Sequence, residues 1–179
     1  MIHENKTQRL ALTALMAALI IISIMFLRIP VPVTGGIIHP GDTFIFLAVM
    51  MLGIKNAAIA GSVGASLANI LSGLSHWAPW TFVIKGVMAI IMGMVFNAMG
   101  GKKPETSQSK KFGLYTVGMI IGGIWQIAGY AVAYRAVIGS WGVALWGVIG
   151  DVIQTSVAIV LVLILANVLR KTPMKKHFI

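Results

Sequence analysis

Ser75-His76-Trp77-Ala78-Pro79-Trp80-Thr81-Phe82-Val83-Ile84-Lys85-Gly86 passes from a polar, aromatic turn into an apolar run that carries a lysine. Two tryptophans flank Pro79, as expected where a helix leaves the headgroup layer, because an indole is apolar on its face and wet at its N–H. Pro79 suits a first helical turn, where the amide proton it lacks would have no intrahelical partner. At about 1.5 Å per residue, Lys85 then sits roughly 9 Å below that turn. An ammonium at that depth costs on the order of 2–3 kcal/mol or more unless it faces protein, water or a ligand. Lys85 therefore faces a ligand, snorkels to the surface or pairs with a buried carboxylate. The stretch reads as the outer end of a membrane-spanning helix.

Composition agrees. Of 179 residues, 58% are hydrophobic and 10% charged, and the mean hydropathy is +0.93. A soluble domain of that length lacks the interior to hide so much apolar surface, so the chain is expected to be an all-α integral membrane protein. The net charge of +10 would raise nucleic acid as a partner in a soluble protein. Here the basic residues sit at the ends of apolar runs, which membrane topology explains without nucleic acid. With no cysteine, there is no disulfide, thiol nucleophile or cysteine metal site. The first apolar run is too long for a signal-peptide core and ends without a small-x-small site, so it is expected to stay in the chain.

Outward from the central stretch, apolar segments of spanning character fall at about residues 9–27, 42–52, 57–72, 79–99, 112–135 and 142–169, which predicts a single domain of six transmembrane helices. In the first, Ala11, Ala14 and Ala18 share one face, a flat strip that lets another helix approach closely, within this protein or from a separate membrane subunit. The residues from Arg28 to Gly41 hold three prolines and three glycines. They read as an apolar loop across the outer mouth of the bundle. Asp42 opens the next segment, where a capping role is the simplest reading. Gly61, Ala65, Ala68, Asn69 and Ser72 share a face in the third. Gly100 to Lys111 is hydrophilic and reads as a solvated loop. Gln126, Tyr130 and Tyr134 line one face of the fifth segment, and Asp151, Gln154 and Thr155 one face of the sixth.

Lys6, Arg9, Lys55, Lys102, Lys103, Lys110, Lys111 and the tail residues Arg170, Lys171, Lys175 and Lys176 then fall on one side, against Arg28 and Arg135 on the other. The positive-inside rule puts both termini in the cytoplasm. The outer side collects His39, Asp42, Asn69, His76, Trp77, Trp80, Thr81, Lys85, Gln126, Tyr130 and Asp151. Polar groups inside a bilayer need partners, so one outward-facing pocket is the economical arrangement. Aromatic faces with a few hydrogen-bonding groups suit a small, flat, polar heterocycle, although Trp77 and Trp80 read equally as interface anchors and Trp141 reads as one. Catalysis finds no support. The histidines lack HExxH spacing, no metal set is evident, and neither GxSxG nor GxxxxGK(S/T) occurs. Two non-enzymatic alternatives remain from the residues alone: a stand-alone carrier with Asp151 and Lys85 as a proton-coupled pair, or a structural scaffold that binds no small molecule.

The runs Gly41-Asp42-Thr43-Phe44-Ile45-Phe46-Leu47-Ala48, Gly61 to Gly73 (GSVGASLANILSG) and Trp77 to Gly86 (WAPWTFVIKG), in that order, resemble the substrate-binding S components of energy-coupling factor (ECF) vitamin transporters. The resemblance lies nearest the riboflavin-type or hydroxymethylpyrimidine-type branch, and the alanine face of the first segment is similar to the docking strip of such subunits. It implies a six-helix S-component bundle in a prokaryotic cell membrane, without a cofactor, that captures a vitamin or precursor outside. It further implies partners: a transmembrane coupling subunit and two cytoplasmic ATPases, which would hydrolyse the ATP. Hydroxymethylpyrimidine, the thiamine precursor, or a pyridoxine-like ring is the expected cargo, with riboflavin as the alternative. The Pro30 to Gly41 loop would act as the gate.

Overall fold

In hydrocarbon no water competes for backbone N–H and C=O groups, so long apolar runs have the α-helix as their way to satisfy them. The computed structural model, which describes residues 6–32, 36–173 and 178, is helical along nearly all of these runs. Among the described residues, five helices are long and apolar enough to cross a membrane: α1 (Lys6–Phe26), α2 (Gly41–Leu71), α3 (Ala78–Ala98), α4 (Gln108–Ile138) and α5 (Trp141–Leu169). A 3-10 turn, Ser75–Trp77, leads into α3.

The expected second and third segments lie in one element, α2, broken at Gly53, whose φ of 77° and ψ of 179° are not helical. That backbone region is open essentially to glycine alone. The arms before and after it fold against each other. A Cβ placed on Gly61 would lie 3.2 Å from Ile45 Cγ2, whereas one straight helix would hold these positions about 24 Å apart. α2 is thus a helical hairpin with exposed Lys55 near its tip.

The rest of the bundle follows chain order. α1 packs on α2, α2 on α3, α3 on α4 and α4 on α5, and α5 returns to touch α2. Glycine sets the closest approach between α3 and α4: a Cβ on Gly118 would meet the Met92 carbonyl at 2.7 Å, and one on Gly122 the Met88 carbonyl at 3.0 Å. Such small-residue seams replace the hydrophobic driving force that lipid removes. At one end of the bundle Arg9 donates to the Leu52 carbonyl at 3.2 Å and Arg170 to the side chain of Gln108. The interior of that half is apolar, with Met88, Met92, Met119, Ala158 and Val162 fully buried. Phe96 stacks on Tyr115 there, with ring centroids 3.9 Å apart.

Three local expectations change. The segment after Arg28, read as a loop, contains a two-stranded antiparallel ribbon, β1 (Ile29–Val31) and β2 (Gly36–Ile38), with Ile29 opposite Ile38. Its connecting residues 33–35 lie outside the described residues, as do Lys175 and Lys176 of the basic tail. α4 begins at Gln108, because Ser107 caps it by accepting from the Lys110 amide, so the hydrophilic loop ends earlier than expected. Asp42 is no cap: Pro40 holds the cap position, without a side-chain bond to the helix. On α1, the buried face is Thr13, Met16, Ile20, Ser23 and Ile24. Ala11, Ala14 and Ala18 point away from the bundle and are exposed.

Candidate functional site

Two connected layers of polar side chains occupy the end of the bundle under the ribbon. The deeper layer centres on Asp42, fully buried at the start of α2. Lys85 on α3, also fully buried, donates to Asp42 Oδ1 at 2.5 Å and to Gln126 Oε1 at 2.8 Å. Gln126 on α4 returns its amide to Asp42 Oδ2 at 2.9 Å and reaches Thr155 Oγ1 on α5 at 3.3 Å. Gln154 on α5 donates to Asp42 Oδ2 at 2.8 Å, while its Oε1 accepts the His39 amide at 3.0 Å. One carboxylate thus ties α2, α3, α4, α5 and the base of the ribbon together. Of the three roles open to Lys85, the pairing with a buried carboxylate is the one observed, and the carboxylate is Asp42, not Asp151. A buried pair of this kind is tolerable because further hydrogen bonds satisfy both charges.

Above it lies a cavity of about 370 Å³ including its mouth, lined by Gly36, Ile37 and His39 from the ribbon segment, Asn69 and Leu74, Trp77 and Thr81, Tyr130 and Tyr134, and Asp151 and Gln154. Every membrane-capable helix but α1 contributes. Asn69 donates to Thr81 Oγ1 at 2.7 Å, and the Thr81 and Tyr130 hydroxyls are 3.0 Å apart. Trp77 meets Tyr134 edge to face with centroids 5.1 Å apart. Lys85 Nζ lies 5.4 Å from the Tyr130 ring centroid, so the two layers share this tyrosine. His39, outside the helices, is held neutral: burial pushes its imidazole down to about 4, with Lys85 adding to the effect and Asp42 opposing it. Its Nδ1 accepts the Gly41 amide at 3.2 Å, which the neutral ring permits.

Of the residues expected at the site, His39, Asn69, Trp77, Thr81, Tyr130 and Asp151 line the cavity. Asp42, Lys85 and Gln126 form the layer beneath it. His76 is exposed, its ring 5.4 Å from that of Trp77, and stands outside the lining. Trp80 faces a different space, an apolar groove between α3 and α4 shared with Val83, Trp125 and Val132. That groove is larger, about 950 Å³. It opens on the lipid-facing surface, and its Trp125 already donates to the Ile84 carbonyl at 3.2 Å, so size does not select the site; converging polar groups do. Tyr134 and Gln154 are lining residues that the sequence reading placed on the right faces without assigning them to the site. Their spacing from Tyr130 and Asp151, i+4 and i+3, is the signal that could have included them.

The described residues hold no cluster of three or more metal-ligating side chains. What the geometry offers is a small, aromatic-walled, hydrogen-bonding chamber inside a membrane bundle.

Comparison with known proteins agrees with this picture. Residues 4–171 match the family model described as ECF-type riboflavin transporter, S component. A protein of Pyrococcus woesei described as "Uncharacterized protein in gap 3'region" is 32% identical over 114 residues, covering 63% of this chain and 70% of that one. The thiamine precursor transporter HmpT of Lactococcus lactis subsp. cremoris is 24% identical over 177 residues, covering 98% of this chain and 96% of that one. With five membrane-capable helices around a chamber of this chemistry, and a family match over nearly its whole length, the chain belongs to the S components of ECF-type transporters: it is a multi-pass membrane subunit for vitamin or precursor uptake, not an enzyme.

Proposed function

We propose that the chain captures a single-ring vitamin precursor, hydroxymethylpyrimidine or a pyridoxine-like ring, in the chamber between the ribbon and Asp42. The observation that carries this is the lining of the chamber, walled by Trp77, Tyr130 and Tyr134 and set with Asn69, Thr81 and Asp151. A flat ring stacks on such walls while few polar contacts orient it. The name of the Lactococcus relative, a thiamine precursor transporter, supports the pyrimidine. Riboflavin is the second reading, favoured by the description of the matching family.

The path through the bilayer is read as six crossings, counting the two arms of α2 separately. Contacts at one end (Arg9 to Leu52, Ile54 beside Gly93, Arg170 to Gln108) support an up-and-down order. With Lys55, Lys102 and Lys103 also at that end, the positive-inside rule makes it cytoplasmic together with both termini, in a prokaryotic cell membrane. The ribbon then lies outside as the gate, latched by His39 on Gln154.

Delivery would need the coupling subunit and two ATPases that accompany S components. The exposed strip of Ala11, Ala14 and Ala18 is the proposed dock, on the one helix that contributes nothing to the chamber. The stand-alone carrier loses its proposed charge pair, since Lys85 is engaged by Asp42.

Purification of the chain alone in detergent, followed by mass spectrometry of small molecules released on denaturation, tests the proposal. A stoichiometric pyrimidine, pyridine or flavin supports it and names the cargo. An empty protein that also binds none of these at micromolar concentration sinks it.

A further inference from the structure

The polar groups lining the chamber are mostly matched to one another. Asn69, Thr81 and Tyr130 form one chain, and both ends of the Gln154 amide are used. Five buried side-chain atoms of the described residues have no partner, and two of them belong to residues that line this chamber: Trp77 Nε1 and Asp151 Oδ2. Trp77 is 4% exposed and Asp151 7%, so bulk water does not compensate either. Leaving such a group unpaired is costly in any interior and more so inside a bilayer. The remaining three (Ser23, Thr43 and Ser72) lie outside the chamber lining.

The two leftovers have opposite hydrogen-bonding sense. An indole N–H only donates, and a carboxylate only accepts. Among the described residues Asp151 has no salt bridge, because the one buried cation nearby, Lys85, is paired with Asp42. We infer that this chamber selects an amino-substituted aza-heterocycle, whose exocyclic N–H donates to Asp151 Oδ2 while a ring nitrogen accepts from Trp77 Nε1. The inference rests on the binding-subunit reading above and narrows its substrate class. A ring that carries a carbonyl in place of the amine sets lone pairs against the carboxylate and leaves Asp151 Oδ2 unmatched. A site built to hydrogen-bond one group rejects the analogue lacking it far more strongly than a merely apolar pocket rejects a methylene.

The test is calorimetric titration of the detergent-purified full chain with two probes. One is hydroxymethylpyrimidine with its exocyclic amine; the other is the analogue in which a ring carbonyl replaces that amine. The wild type is expected to bind the amine at least about tenfold more tightly. Asp151→Asn should weaken the amine by about tenfold and shrink the preference, because the asparagine amide can donate to the carbonyl. Trp77→Phe keeps an aromatic ring while removing the N–H together with part of the ring surface; it should weaken the amine about fivefold with an unchanged helical circular dichroism spectrum. Equal affinities for the two probes in the wild type overturn the inference, whether or not Asp151→Asn folds. So does an Asp151→Asn chain that keeps the full preference. Tight binding of pyridoxine or riboflavin with none of the amine probe overturns the inference and leaves the binding-subunit reading standing. Binding of none of the four overturns both.

Discussion

Around Asp42 the bundle buries a carboxylate, an ammonium and two primary amides in one cluster, whereas around Met92 the same helices bury methionine, alanine and a stacked Phe96–Tyr115 pair. The second arrangement is what a bilayer makes easy: small residues bring backbones together and dispersion does the rest. The first is expensive, since each ion must be desolvated and then fully re-bonded. A fold that needed only to pack would repeat the Met92 pattern throughout. That it does not marks the Asp42 end as the end with a task, and the partly unmatched chamber sits directly on it. The cluster also ties five segments to one carboxylate, so the position of the ribbon is coupled to the Asp42 layer through His39 and Gln154.

If this contrast is right, the two ends respond differently to substitution. The largest effect is expected at the ion pair. Lys85→Ala leaves the Asp42 carboxylate buried without its cation, and breaking a pair in this way costs about 3–5 kcal/mol. Thermal unfolding in detergent should show a drop, and the double variant Lys85→Met with Asp42→Asn should recover much of it. A single variant as stable as the wild type would mean that the cluster carries no such strain.

Acid should act next, and only at the Asp42 end. The folded chain holds His39 with its imidazole pushed down to about 4, below the ordinary 6.5 of an unfolded chain. Between those values the unfolded chain binds a proton that the folded chain refuses. This contribution is therefore intact above pH 6.5 and is lost as pH falls through the window, by no more than about 1.4 kcal/mol per pH unit. A pH series of Tm should show the decline, and His39→Asn should flatten it. An identical slope in the variant would assign the acid sensitivity elsewhere.

At the Met92 end, Gly118→Ala pushes a methyl against the Met92 carbonyl, where a Cβ would lie at 2.7 Å. Overpacking of this kind costs about 1–3 kcal/mol. Tm should fall while ligand affinity, measured well below Tm, stays within about twofold, because the chamber is untouched. A large loss of affinity would show that the two ends are coupled. The smallest effect on the isolated chain is expected from Ala14→Leu on the exposed face of α1. Neither stability nor binding should change, while uptake by vesicles holding the complete transporter should be lost. Equal loss of binding and uptake would remove the docking role from this face.

Several features were legible before any coordinates. Membrane residence, helicity and the ends of α3 follow from the length of the apolar runs and from Pro79 between two tryptophans, because a bilayer leaves the backbone so few choices. The family was legible from three runs in order, ending in the Trp77 to Gly86 stretch. The ribbon was not: Ile29–Val31 and Gly36–Ile38 are too short, and too rich in proline and glycine, to show a strand period. Nor was the break at Gly53 distinguishable from a turn between separate helices, since a single positive φ leaves no pattern in the neighbouring residues.

Lys85 shows the boundary most clearly. Its cost at that depth follows from sequence and bilayer physics alone, and so does its need for a partner. Which partner it takes does not follow, because Asp42 and Asp151 are both acidic and both far from it in the chain. Only the packing of α2 and α5 around α3 decides between them, by bringing Asp42 to 2.5 Å and leaving Asp151 Oδ2 unmatched in the chamber wall. The sequence by itself determined that polar groups would have to converge inside this membrane protein. The tertiary structure decided which of them satisfy one another and which remain unpaired, because hydrogen-bond partnership depends on angstrom-scale distances that no spacing along the chain encodes.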